Sequence, residues 1–259
     1  MAKPVRSIGL AALTCIELSP HELVAVAAEA GYDCVGLRLI PVAGQTLPAF
    51  DLAETERRLA DTGLSVLDVE VFRLDPGTRI AGFEPVMAAA ARLGATEILA
   101  HGADPDEARL RHAFSELCAL AANYRLHVNL EPMPWVEVST VGKAKRVLEG
   151  NGNAALLVDP IHFYRADNAL ADLEGVPMRY LQFCDAHPGR PSEAGELIRQ
   201  ARGDRLFPGD GALDLAGLLR ATPSGLPLSV EVPVAQKLHP LERARRALQA
   251  TKKVLGSWR

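Results

Sequence analysis

No run in this sequence is long and apolar enough to cross a membrane, and its start lacks the apolar stretch of a secretion signal. The chain therefore reads as a cytoplasmic protein with no membrane partner. It has no block of Lys and Arg, and its net charge is −4, which argues against nucleic acid as a partner. Cys15, Cys34, Cys118 and Cys184 are scattered and form no CxxC pair, so a zinc ribbon or redox motif is unsupported. Buried free thiols in a reducing compartment are the expectation. No Gly-rich dinucleotide fingerprint follows the first apolar run, and no Gly-rich loop carries a Lys that would mark a phosphate cradle. No Pro/Ser/Gly-rich linker divides the chain, so residues 1–259 are expected to form one domain.

What is present is a rhythm. Of the 259 residues 48% are apolar and 23% charged, enough for a large core inside an ordinary surface. Short apolar runs, expected as strands, fall at residues 7–14, 34–40, 65–74, 96–100, 127–132, 154–162, 180–186 and 228–233. Longer amphipathic segments, expected as helices, lie between them at 20–30, 51–61, 83–93, 105–124, 140–148, 168–173, 212–221 and 240–255. Ser19-Pro20 is a helix start, with Ser as N-cap and Pro at the first helical position, and Gly31 is its stop. The strand candidates are apolar along most of their length, as when both faces are buried. Eight strand-helix units close a parallel barrel, so the predicted class is a single-domain α/β protein with a (β/α)8 barrel. The long segment 187–211, with a small helix at 192–202, would sit on the barrel's C-terminal face, where substrate loops belong.

The chemistry is expected at the C-terminal ends of the strands. Glu131 closes the fifth (NLEPMPW), Asp159 the sixth (LLVDPIH) and Glu231 the eighth (SVEVP); Gln182 and Asp185 lie on the seventh (LQFCDA). Each follows apolar residues, and a charge at that depth is costly unless paired or metal-bound. Oxygen ligands on four successive strands point to one divalent ion held by Glu131, Asp159, Gln182 and Glu231, with positions left for substrate oxygens. Glu131 and Glu231, from strands well apart, are also the acid/base candidates. His101 (ILAHG) could reach the mouth, and Trp135 could wall the substrate. Arg38 and Glu70 read as a buried ion pair, although substrate binding is the other reading. Asp185 reads as a second support for the site or as a cap of the following loop.

EPMPW, LLVDPIHFYR, LQFCDA, RLFPGDGALDL and SVEVP together resemble the xylose isomerase-like TIM barrels, the sugar phosphate isomerase/epimerase group also called AP endonuclease family 2. The resemblance covers essentially the whole chain. It implies a divalent metal on Glu131, Asp159, Gln182 and Glu231, a catalytic, substrate-facing His162 three residues after the Asp, and a substrate-binding Arg205 before the Pro-Gly-x-Gly turn. One departure stands out: ketose 3-epimerases carry His where this chain has Gln182, whereas some 3-dehydroshikimate dehydratases of the superfamily carry Gln. An amide oxygen makes the ligand set all-oxygen, which favours Mg2+ or Mn2+ over Zn2+. The leading expectation is a metal-dependent isomerase or epimerase acting through an enediolate on a ketose or related keto-polyol, a carbohydrate-like small molecule. The alternative is a metal-dependent lyase of the 3-dehydroshikimate dehydratase type. A DNA repair endonuclease would need more histidines and a basic groove, and a non-catalytic barrel would have no need of all four ligands. A homo-oligomer is left open.

Overall fold

The computed structural model describes residues 6–41 and 46–257. Eight strands, β1 (Ile8–Leu10), β2 (Cys34–Arg38), β3 (Ser65–Leu74), β4 (Glu97–Gly102), β5 (His127–Leu130), β6 (Ala154–Val158), β7 (Met178–Phe183) and β8 (Leu228–Val230), pair in parallel and in sequence order. β8 closes on β1, with Ile8 opposite Leu228 and Leu10 opposite Val230. Around them lie α1 (Pro20–Ala30), α2 (Leu52–Thr62), α3 (Glu84–Arg92), α4 (Glu107–Asn123), α5 (Val141–Leu148), α6 (Pro160–Arg165), α7 (Ala194–Gly203), α8 (Leu215–Ala221) and α9 (Pro240–Ser257). This is the eight-stranded parallel barrel expected from the sequence. Among the described residues no helix is long and apolar enough to cross a membrane.

Local chemistry explains the boundaries. At the start of α1, Ser19 and Glu22 form a reciprocal capping box, and Gly31 ends the helix in the left-handed region at φ 88°. Most expected strands stop before the end of their apolar runs, and the helix expected at 168–173 is a 3-10 turn at Leu170–Leu173; two of the shortened strands show why. The first stops at Leu10 and passes into a 3-10 turn at Ala12–Cys15. The sixth stops at Val158, and the residues after it, predicted as strand, form α6. Asp159 accepts a hydrogen bond from the Ile161 N–H and Pro160 occupies the first helical position, a helix start that outweighs the apolar character of Ile161 and Phe163. The consequence is functional: His162 stands on a helix above the barrel rather than on a strand. The four cysteines are buried and free.

Strand residues facing outward pack under the helices, and the barrel interior is only partly apolar. Cys34, Leu67, Val71, Leu99, Leu157 and Tyr180 form its small inner cluster. Beside them the Tyr180 hydroxyl donates to Asp68 at 2.9 Å, and burial, with Glu70 nearby, pushes the Asp68 carboxyl up to about 8. Lower down, Arg179 pairs with Glu97 at 2.8 Å and Asn129 donates to the same carboxylate. Gly36 is the space that admits Asp68: a Cβ there would lie 2.3 Å from its Oδ1. Gly36→Ala is therefore expected to destabilise the fold by about 1–3 kcal/mol. Urea denaturation checks this, and an unchanged midpoint would mean that the carboxyl swings away freely.

Candidate active site

The barrel mouth holds a cavity of 430 Å³. Its floor is made by the strand ends. Hydrogen bonds from Glu131 N–H to Ala100 O and from Glu231 N–H to Phe183 O continue the ladders one residue past β5 and β8, and both residues line the cavity. Glu131, Asp159, Gln182, Glu231 and His162 are all buried, exposing 1–4% of their surface. One oxygen of Glu131, one of Asp159 and a ring nitrogen of His162 lie within 4.8 Å of one another, a spacing that could hold a metal ion. Gln182 Nε2 donates to Glu231 Oε1 at 3.0 Å, which joins the seventh and eighth strands' polar groups. Thus the residues singled out from the sequence do converge, with His162 closer to the carboxylates than a purely substrate-facing role requires.

His101 lies within β4 rather than after it, and its Nε2 is 2.6 Å from Glu131 Oε2. Trp135 packs edge-on against His162, ring centroids 4.9 Å apart, and lines the cavity. Arg205 is not a free clamp reaching from a loop. It is buried, with Nη1 2.5 Å from Asp159 Oδ2, Nη2 2.7 Å from Glu231 Oε2 and Nε donating to Ala201 O. Arg38 pairs with Glu70 at 2.8 Å, and both line the cavity. Asp185 turns away from the metal-capable group and accepts backbone N–H bonds from Ala186, Gly209 and Leu213, pinning the 187–211 segment in place. Arg73 and Arg202 also line the cavity and went unnoticed in the sequence. Arg202 ends the small helix expected at 192–202, and nothing local marks it.

The floor of the mouth is rich in acid: when ionised, the buried carboxyls Glu70, Glu131, Asp159 and Glu231 outnumber Arg38 and Arg205, the two guanidiniums paired with them, and a cation held among them would offset the difference. Glu131 Oε1, Gln182 Oε1 and His162 Nδ1 are moreover buried with no hydrogen-bond partner, which is expensive for polar atoms unless something else meets them. The donor set thus fits a divalent metal.

The protonation equilibria follow. Desolvation, with Asp159 nearby, lifts Glu131 well above the usual carboxylate range. Desolvation also lifts Glu231, against the pull of Arg205. For Asp159 desolvation acts the same way, but Arg205, His162 and two hydrogen bonds outweigh it and hold the group low. Burial keeps both His101 and His162 neutral, with pKa values near about 3. A carboxyl raised in the folded state binds a proton that the unfolded chain has released. Its stabilisation is therefore present below its ordinary value of 4.5 and is lost as the pH rises towards the raised value. Metal binding demands the ionised forms, so affinity for Mn2+ is expected to tighten with pH by up to roughly tenfold per unit for each proton released. A calorimetric titration across weakly acid to neutral pH measures it, and a flat affinity would contradict this account of Glu131 and Glu231.

Fold and site together define a parallel α/β barrel with a metal-capable polar cluster at its C-terminal mouth. The chain belongs to the xylose isomerase-like TIM barrel family, whose model matches residues 24–254. A curated relative, 3-dehydroshikimate dehydratase of Pseudomonas aeruginosa, is 30% identical over an alignment 236 residues long that covers 82% of this chain; the chain spans 36% of that protein's length. Among solved structures, the IOLI protein with a bound zinc atom superposes with a TM-score of 0.79 at 19% identity, covering 98% of this chain and 99% of that one. D-allulose 3-epimerase from Methylomonas sp. superposes at 0.71 with 20% identity, covering 98% and 99%. These two likenesses are of fold.

Proposed function

We propose that this chain is a metal-dependent lyase of the 3-dehydroshikimate dehydratase type, with Glu131, Asp159, Gln182 and Glu231 as the metal ligands. The observation that carries the reading is Gln182. Its Nε2 is held by Glu231, so its buried Oε1 is the atom left to meet an ion, and the ligand set becomes all-oxygen. The relative named above, at 30% identity, supports the same reading. A divalent ion, Mg2+ or Mn2+ by the hardness of the ligands, would act there as a Lewis acid towards a substrate carbonyl. Glu231 takes the proton from the carbon beside that carbonyl. That proton passes to Glu131, which hands it to the hydroxyl on the next carbon; the hydroxyl leaves as water and both carboxylates end ionised, as they began. His162 and Trp135 hold the substrate against the carboxylates, and Arg205 fixes Asp159 and Glu231 in place.

An isomerase or epimerase acting on a ketose shares the first of these steps and is the second reading. What favours it is that Glu131 and Glu231 are both raised towards their protonated forms and come from separate strands, so one can take and the other return a proton at carbon. Proton NMR in heavy water with Mg2+, on a panel of 3-dehydroshikimate, ketoses and inososes, separates the two. Loss of water from 3-dehydroshikimate is the expected result; a new epimer of a ketose would select the second reading. Exchange at no carbon beside a carbonyl would defeat both. The all-oxygen argument carries a further prediction. Gln182→His is expected to move the ion preference towards Zn2+ by about an order of magnitude relative to Mn2+. Competition between the two ions measures it, and an unchanged ratio would remove Gln182 from the ligand set.

A further inference from the structure

Side chains alternate in and out along a strand, so each group at the mouth has an inward neighbour two residues earlier. Behind Glu70, His101, Glu131, Asp159, Gln182 and Glu231 stand Asp68, Leu99, Asn129, Leu157, Tyr180 and Ser229. They form the layer beneath the mouth, and none exposes more than 1% of its surface. One member of this layer is an acid. Asp68 receives the Tyr180 hydroxyl on Oδ2 at 2.9 Å, and its Oδ1 has no hydrogen-bond partner. Guanidiniums on β2 and β7 are engaged with other acids, Arg38 with Glu70 and Arg179 with Glu97, each at 2.8 Å. On β2 the Cys34 thiol is neutral, pushed up to about 12 by burial. The acids that act on Asp68 are Glu70 on its own strand and Glu97 on β4. An ionised Asp68 would thus hold a full charge on one hydrogen bond, beside apolar side chains and two like charges. A proton removes that cost. It also makes Oδ1 a donor, and the same layer holds two acceptor atoms without a partner, Asn129 Oδ1 and Ser229 Oγ.

We propose that the barrel binds one proton at Asp68, beneath its active site, and that release of this proton is an alkaline switch on the Arg38–Glu70 pair of the cavity wall. Burial and the charge of Glu70 hold the Asp68 carboxyl up at about 8, while the Tyr180 hydroxyl and the Arg38 charge pull the other way. The coupling is reciprocal. Glu70 disfavours a charge on Asp68, so an ionised Asp68 disfavours the charge on Glu70 and competes with it for Arg38. Asp68 is absent from the described residues that line the cavity, so neither ion nor substrate touches this proton. The folded chain keeps a proton that an unfolded Asp68 has released above its ordinary value of 3.8. Its stabilisation is therefore full below 3.8 and is lost as the pH rises through about 8.

Infrared difference spectroscopy reads the proton directly, through the carbonyl stretch of a protonated carboxyl. It is applied with Mg2+ present to the wild type and to Asp68→Asn, from about pH 6 to about pH 10. The wild type minus the variant is expected to show such a band at neutral pH and to lose it with a midpoint at about 8. Urea denaturation of the same pair gives the linkage. The folding constant of the wild type relative to Asp68→Asn should fall by up to about tenfold per pH unit between about pH 5 and 7, and level off above about 8. Two further variants keep Asp68 and move its midpoint in opposite directions, so the site is read even where Asp68→Asn fails to fold. Tyr180→Phe removes the donor that favours the ionised form and should raise the midpoint. Glu70→Gln removes the repelling acid and should lower it, each by about one pH unit. Parallel stability curves for wild type and Asp68→Asn, or no carboxyl band at neutral pH, would overturn the proton site. A band whose midpoint neither Tyr180→Phe nor Glu70→Gln moves would overturn its assignment to Asp68. A midpoint that Tyr180→Phe raises and Glu70→Gln leaves in place would overturn the switch on the cavity wall.

Discussion

Arg205→Met is expected to cost the metal-free protein roughly 3–5 kcal/mol of stability, and much less when a divalent ion is bound. The guanidinium is fully buried and meets two carboxylates at once, Asp159 at 2.5 Å and Glu231 at 2.7 Å. Methionine fills a similar volume but leaves both charges in a dry site. Their mutual repulsion then joins that of Glu131 and Glu70. Neutralisation by protonation is one escape for Glu231, which is already raised, but Asp159 loses the partner that holds it low. A divalent ion among the same carboxylates supplies the missing charge, so saturation with Mn2+ should recover part of the loss. Urea denaturation of wild type and variant, with chelator and with Mn2+, measures the four values. A loss under about 1 kcal/mol in chelator would show that Arg205 does not compensate the cluster. An equal loss in both conditions would show that ion and guanidinium do not share their carboxylates. Arg205→Lys is the informative control: one ammonium cannot fork between two carboxylates on different strands, so an intermediate loss is expected.

The barrel was legible in the sequence because its signals are local and repeated. Ser19-Pro20 and Gly31 announce the ends of α1 in the chain itself, and β3 is recovered to the residue. The sixth strand was overextended for the opposite reason. Apolar residues continue through Phe163, and only the Asp159-Pro160 pair marks the switch from strand to helix. The ligands were legible because an acid or amide that ends an apolar run is costly wherever that run is buried. Arg205 was found through a motif, but its engagement with Asp159 and Glu231 joins positions 46 and 26 residues apart and leaves no mark in either segment. Arg202 illustrates the remaining limit. On the sequence it is one more charged residue of an amphipathic helix, and only the placement of α7 across the mouth turns it towards Arg38 and Arg73.

Glu131→Gln is expected to lower turnover by about 10²–10⁴-fold, the range for removing a positioned acid or base. The substitution is nearly isosteric, so its effect can be assigned to charge and proton transfer. Glu131 sits between two neutral imidazoles. His101 Nε2 is 2.6 Å from Oε2, and His162 Nε2 is 3.8 Å from Oε1, which has no hydrogen-bond partner. One oxygen is therefore held in place while the other is left for an ion or a proton. The amide can keep one of these contacts through its oxygen, but it cannot both accept from His101 and present a charged oxygen to the cluster. Mn2+ affinity should fall as well, since one negative charge leaves the ligand set. Measuring kcat at saturating Mn2+ separates the two effects, because full occupancy restores the ion and not the proton carrier. A variant with normal kcat once saturated would leave Glu131 as a ligand alone, and the returned proton would have to come from Glu231. His101→Gln completes the argument. If His101 only orients Glu131, its loss should lower kcat by much less than loss of the carboxylate, while the two substitutions combined should cost little more than Glu131→Gln alone.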